Sequence, residues 1–215
     1  MNSRIRNLVA SASNLLTGKP LLAIFEVSLR GIDALESFPG TKFLTCIVSD
    51  VNRSDVMDVV RFARVRDLIP VVGAYHWNVG IYGKVNDHLR YDAQLAIAVF
   101  RQVRDSGLVN AGYYRDYLND SIRWLSKQPL ASCDAGRYSI AVDASGNVAP
   151  CLAHPHSGTL RELPLDEILR RFDYAAIERC SNASTCNLAC SRIVGTSLRR
   201  PVSAARTLLS FVRQR

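Results

Sequence analysis

Five of the six cysteines of this 215-residue chain fall in one stretch: Cys133, Cys151, Cys180, Cys186 and Cys190. Cys133 and Cys151 frame the pattern Cys-x12-Gly-x4-Cys, with Gly146 as its marker, and the last three form Cys-x5-Cys-x3-Cys. Thiolates in two such groups, brought together by folding, can hold an iron–sulfur cluster or a zinc ion. The unequal gaps of the second group let a loop wrap round a soft centre. Buried thiols or disulfides are the alternative. The N-terminus lacks a continuous signal-peptide core, because Leu8–Ala12 is followed by Ser13 and Asn14, and without a secretory signal clustered cysteines favour a metal. Cys46 stands apart in an apolar run and reads as core packing.

The chain before the cysteines alternates strand and helix. A short helix over residues 4–16 leads to the apolar run Leu21–Leu29, and Ile32–Phe38 makes two helical turns. Lys42–Ser49 is a second strand, and Ser54 is a candidate N-cap for a helix over Asp55–Leu68. The core stripe of that helix is Val56, Val59, Val60, Ala63 and Val65. Ile69–Tyr75 is the third strand, so the rhythm is βαβ, implying a parallel sheet. After a loop over Val79–Asp87, helices follow over Leu89–Arg104 and Tyr113–Ser126, the latter burying Tyr114, Tyr117, Leu118, Ile122 and Leu125.

From Arg137 the period changes to two. Tyr138, Ile140 and Val142 alternate with polar or small residues, Ala144–Asn147 turns the chain, and Val148–Leu152 returns as the second arm of a hairpin. One amphipathic helix is expected over Leu165–Ile177. The fold class is therefore α/β. A parallel layer (1–130) precedes a small α+β cysteine module (131–192) and a basic C-terminal helix (193–215).

Charge excludes one broad class of partner. The net charge is +8, but residues 1–25 carry +3 and residues 179–215 carry +7, leaving −2 for everything between. The body offers no basic face, so no nucleic-acid partner is expected. No apolar run reaches the length of a membrane span. Phosphate-binding glycine loops and nucleophile elbows are absent, so no catalytic constellation exists outside the cysteines. His154 and His156, just past Cys151, read as loop histidines, with completion of a metal site as the alternative.

The hairpin YSIAVDASGNVAPC, the segment GTLRELPLDEIL and the two cysteine groups together resemble a SPASM or twitch domain, the auxiliary-cluster module of many radical S-adenosylmethionine proteins. The full form has seven cysteines and two 4Fe–4S clusters. Here Ile177 stands where the cysteine three before Cys180 would be, and none follows Cys190. The resemblance thus implies one 4Fe–4S cluster. Its ligands would be Cys133, Cys151 and Cys190, with Cys186 as fourth and Cys180 as alternate.

KPLLAIFEVSLR is similar to the first strand of the radical S-adenosylmethionine barrel, and FLTCIVSDVN and PVVGAYHWN are similar to its later strands. The Cys-x3-Cys-x2-Cys loop of the catalytic cluster is absent, since Arg30 runs into Gly31-Ile32-Asp33. The resemblance implies a truncated (β/α) barrel-like layer that does not cleave S-adenosylmethionine alone. Ser49, Asp50, Asn52, His76 and Asn78 lie at strand ends, where Asn52 and His76 would be remnants of a cofactor or substrate pocket. The cluster would relay electrons or bind a peptide or small-molecule substrate, in the cytoplasm, served by a reductase or an intact partner subunit. A zinc module serving a partner and an inactive deletion product are the alternatives.

The tail adds one feature. From Arg179 to Arg215 there are seven arginines and no acid. In PVSAARTLLSFVRQR, Val202, Ala205, Leu208, Leu209 and Val212 share a face edged by Arg206, Arg213 and Arg215. Such a helix either packs on its own domain, or sits on an anionic membrane surface or in a partner's groove.

Overall fold

The computed structural model describes residues 29–35, 37–75, 89–109, 112–182 and 198–212. The expected helix over residues 4–16 and the strand residues 21–28 lie outside these. Leu29, the expected end of that strand, is instead helical, in a short helix covering residues 29–34.

The expected parallel unit forms. Strand β1 (Phe43–Val48) pairs in parallel with β2 (Ile69–Ala74), in register from Phe43 opposite Ile69 to Val48 opposite Ala74. Helix α1 (Val56–Val65) makes the crossover between them. In β2 the residues Pro70, Val72 and Ala74 are buried, and the register sets Leu44, Cys46 and Val48 beside them on one face. The stripe of α1 differs from expectation: Val56, Met57, Val60 and Ala63 are buried, while Val65 is 85% exposed. Five positions past Val60, Val65 is rotated well away from the core line, whereas Met57 extends it. Ser54 is not the cap. The N-cap position is Asp55, which makes no side-chain capping bond.

Helices α2 (Ala93–Asp105) and α3 (Tyr113–Leu125) complete this layer. Asp92 caps α2, its Oδ1 accepting from the backbone N–H groups of Gln94 (2.8 Å) and Leu95 (3.2 Å). The apolar positions read for α3 are all buried, in one core with Val48, Val60, Val72, Ile97 and Phe100. The Tyr114 hydroxyl accepts from the backbone N–H of Val72, tying α3 to β2.

The cysteine module follows. Strands β3 (Ala141–Val142) and β4 (Asn147–Ala149) form the antiparallel hairpin, and β5 (Gly158–Thr159) adds to β4, giving the order β3-β4-β5. The Asp143 carboxylate builds the turn. It accepts from the backbone N–H groups of Ser145 and Asn147, each at 2.9 Å, and from Asn147 Nδ2 at 2.8 Å. These bonds, the Asn147 amide first, hold its carboxyl below the usual range. The hairpin faces the other way from the alternation: Tyr138, Ile140 and Val142 are exposed, while Val148 and Ala149 on the returning arm are buried. The returning arm is the one that packs, with Val148 against Ile168 and Phe172.

The single helix expected over Leu165–Ile177 is two, α4 (Leu165–Arg170) and α5 (Tyr174–Asn182). Phe172 is buried at the break, and Asp173 restarts the helix by accepting from Ala176 N–H at 2.8 Å.

Helix α6 (Pro201–Val212) packs on α3 through polar contacts. Thr207 Oγ1 accepts from the backbone N–H of Tyr113 at 2.8 Å, standing in for an N-cap side chain that Gly112 cannot supply. Ser203 Oγ donates to Asp116 at 2.5 Å, and Arg200 reaches Asp116 at 3.4 Å and Asp120 at 3.3 Å. Arg199, the preceding residue, pairs with Asp134 at the start of the cysteine module.

Candidate metal centre

Folding brings two of the predicted thiols together. Ala135, Cys151 and Ile177 form one buried cluster, with Cys133 packed against it. Cys151 is 9% exposed and Ile177 4%. The lead-in to the hairpin, the turn after its returning arm and the third helical turn of the module therefore meet at one place.

Three local devices enforce the meeting. Gly136 adopts a left-handed backbone (φ +75°), and a Cβ there would stand 2.8 Å from the Phe172 ring and 3.2 Å from Pro150 Cβ. Any other side chain would wedge apart the segments that carry Cys133 and Cys151. The Tyr174 hydroxyl, at the start of α5, donates to the Gly136 carbonyl at 3.2 Å, fixing the helix that bears Ile177 and Cys180 against the lead-in. Gly146, also left-handed (φ +86°), lets the hairpin turn so that Cys151 returns.

The surroundings suit a soft centre. The Cys151 sulfur accepts the backbone N–H of Ala153 at 3.3 Å, a contact that favours its thiolate. The rest of that buried cluster is aliphatic, which keeps water out. Cys180 is half-buried on α5, three residues past Ile177 and so about one turn further on. Cys186 and Cys190 lie outside the described residues. Among the described residues no three Cys, His, Asp or Glu side chains gather where they could hold a metal ion, and no two cysteines are disulfide-bonded. The chemistry of Cys133 and Cys151, two thiols in one cluster, fits two ligands of a thiolate-bound centre.

The other candidates are placed differently. His154 is half-buried, its backbone N–H donating to the Cys151 carbonyl at 3.3 Å. His156 is exposed and reaches the turn carboxylate of Asp143 at 3.8 Å. Asn52 spends its amide on its own loop: Oδ1 accepts from Ser49 N–H and Nδ2 donates to the Ile47 carbonyl, both at 2.8 Å. Asp50 faces Arg53 at 3.4 Å. His76 and Asn78 lie outside the described residues. Cys46 sits against the main core, and burial, with the Asp55 carboxylate adding to it, pushes its thiol up to about 11.

Sequence reasoning missed Ile177 as a wall of the thiol cluster, and it missed the Tyr174 and Ala153 contacts. Ile177 carried a signal, an apolar residue one turn before a cysteine. The two hydrogen bonds carried none.

Residues 133–191 match the family model of the SPASM iron–sulfur cluster-binding domain. The matched segment opens on Cys133 and closes one residue past Cys190, enclosing all five clustered cysteines. No curated protein and no solved structure matches the chain.

Proposed function

We propose that the chain holds one 4Fe–4S cluster in its cysteine module and uses it as an auxiliary centre in radical S-adenosylmethionine chemistry. The observation that carries the reading is that buried Cys151 and partly buried Cys133 pack in one cluster inside the segment that matches an iron–sulfur domain. Cys133, Cys151 and Cys190 serve as ligands, with Cys186 as fourth and Cys180 as alternate. When bound, such a cluster supplies one-electron transfer or an iron that accepts a substrate donor atom. The protein's part is to exclude water with Ile177 and Ala135, to direct the Ala153 N–H at one sulfur, and to hold the two hairpin thiols at fixed separation through Gly136 and Tyr174.

Residues 1–130 are read as a partial barrel-like layer supporting the module at 131–192, with Asn52 and His76 as pocket remnants. The βαβ unit formed by β1, α1 and β2 supports this reading. The chain alone does not cleave S-adenosylmethionine, because Gly31 stands where the catalytic-cluster loop would begin. A reductase or an intact partner subunit supplies electrons, and the setting is the cytoplasm. Among the described residues no helix is long and apolar enough to cross a membrane.

Anaerobic purification with iron, sulfide and zinc assays tests the reading. Brown protein with iron and sulfide that bleaches on reduction is expected, and Cys151→Ala should lose the iron. Colourless protein carrying zinc, or full iron retention in Cys151→Ala, overturns it. Release of 5′-deoxyadenosine by the isolated chain under strong reductant would overturn the non-cleaving part.

A further inference from the structure

Helix α6 is docked with its polar side inward. Ser203 and Thr207, preceded by Arg200, face α3 and make the bonds that hold the helix there. Val202, Ala205 and Leu209 recur at i, i+3 and i+7 and so run along the opposite side. Val202 is 66% and Leu209 58% exposed, and Ala205 is exposed as well. A surface helix ordinarily buries its apolar stripe against its own domain. Here hydrogen bonds and ion pairs fix the reverse orientation and leave the stripe outward.

Charge decides what covers it. The segment from Arg179 to Arg215 holds seven arginines and no acid. Arg199 and Arg200 are answered by Asp134, Asp116 and Asp120 of the protein itself. Arg206 is exposed, four residues past Val202, and lies at the rim of the stripe. A short apolar stripe edged by Arg206, in a segment without an acid, complements a surface that is apolar beneath and anionic at its face. Pairing with a second copy would bring the two Arg206 side chains together against their repulsion. We propose that α6 is an interfacial anchor that lies in the plane of an anionic lipid surface, Val202 and Leu209 entering the acyl boundary and Arg206 meeting the headgroups. This goes beyond the cluster reading and does not depend on it.

Co-sedimentation of the full chain with vesicles tests it, comparing phosphatidylcholine alone with phosphatidylcholine containing phosphatidylglycerol. Retention is expected on the anionic vesicles at low salt, falling as salt rises. The exposed pair Val202→Ser/Leu209→Ser should weaken retention about tenfold with an unchanged melting temperature. Absent retention, equal retention by neutral vesicles, or full retention by the double variant overturns the proposal. A concentration-dependent dimer that the double variant dissolves would assign the stripe to a second copy and overturn it too.

Discussion

The backbone N–H of Ala153 points at the sulfur of Cys151, 3.3 Å away, from two residues further along the chain. It links the shape of the loop after β4 to the electronics of the proposed centre. An N–H donor stabilises the more electron-rich sulfur and so favours reduction.

Removing that donor should lower the reduction potential of the reconstituted protein. At roughly 1 kcal/mol for such a bond, Ala153→Pro should shift the midpoint by about 40 mV to the negative, while Ala153→Gly keeps the N–H and the potential. Potentiometric titration followed by absorbance checks this. Equal potentials in the two variants would remove the Ala153 contact from the account.

Ile177 should matter twice. Its near-complete burial beside Cys151 predicts that Ile177→Ala costs about 2–5 kcal/mol, read as a lower urea midpoint. Opening the aliphatic wall should also hasten bleaching of the bound cluster in air. A destabilised variant with unchanged bleaching would confine Ile177 to packing.

The α3–α6 junction gives a pair of linked substitutions. Thr207→Val removes the hydroxyl that accepts from Tyr113 N–H and should cost about 1 kcal/mol, as loss of a cap does. Gly112→Ala should cost more, about 1–3 kcal/mol, because Gly112 has φ +102° and its Cβ would stand 2.6 Å from Thr207 Oγ1. The double variant should fall short of the sum, since both act on one contact. Denaturant melts of the four proteins decide it.

Cys46 sets an alkaline limit. Its thiol is raised from 9.0 to about 11 by burial first and the Asp55 carboxylate second. The fold prefers the neutral thiol, so this stabilisation is complete below about pH 9 and is lost as pH climbs to about 11, amounting to about 2–3 kcal/mol. Burial raises Tyr91 and Tyr114 as well, which continues the same trend at higher pH. Cys46→Ala should begin less stable at neutral pH and decline less between pH 9 and 11. An identical decline would assign the limit to other groups.

The periodic part of the chain was legible where one face alone is buried. Tyr114, Tyr117, Leu118, Ile122 and Leu125 sit on α3 as their spacing requires, because nothing competes for that face. Periodicity failed where packing partners, rather than apolarity, choose the inward side. Tyr138, Ile140 and Val142 alternate correctly yet face outward, because Ile168 and Phe172 lie beneath the other arm. The break between α4 and α5 was hidden because Phe172 continues the apolar pattern while leaving the helix to fill the core. Of the site, the convergence of Cys133 and Cys151 followed from the hairpin. The third wall, Ile177, depends on how α5 is turned, and that is settled by Tyr174 and Asp173 at its start. The inward polar face of α6 was illegible for the same reason: its partners, Tyr113 and Asp116, are remote in sequence.

That remoteness orders events during synthesis. The bond from Tyr113 to Thr207 spans 94 residues, and that from Arg199 to Asp134 spans 65. A nascent chain that has reached residue 198 already holds every strand named above, yet the first turn of α3 still lacks its acceptor and Asp134 its cation. Those groups remain hydrated until residues 199–207 clear the ribosome and fold back. Joining of the two halves thereby waits on one stretch of the chain, and a protein cut before Arg199 would carry the cysteine module without the strap that fastens it to α3.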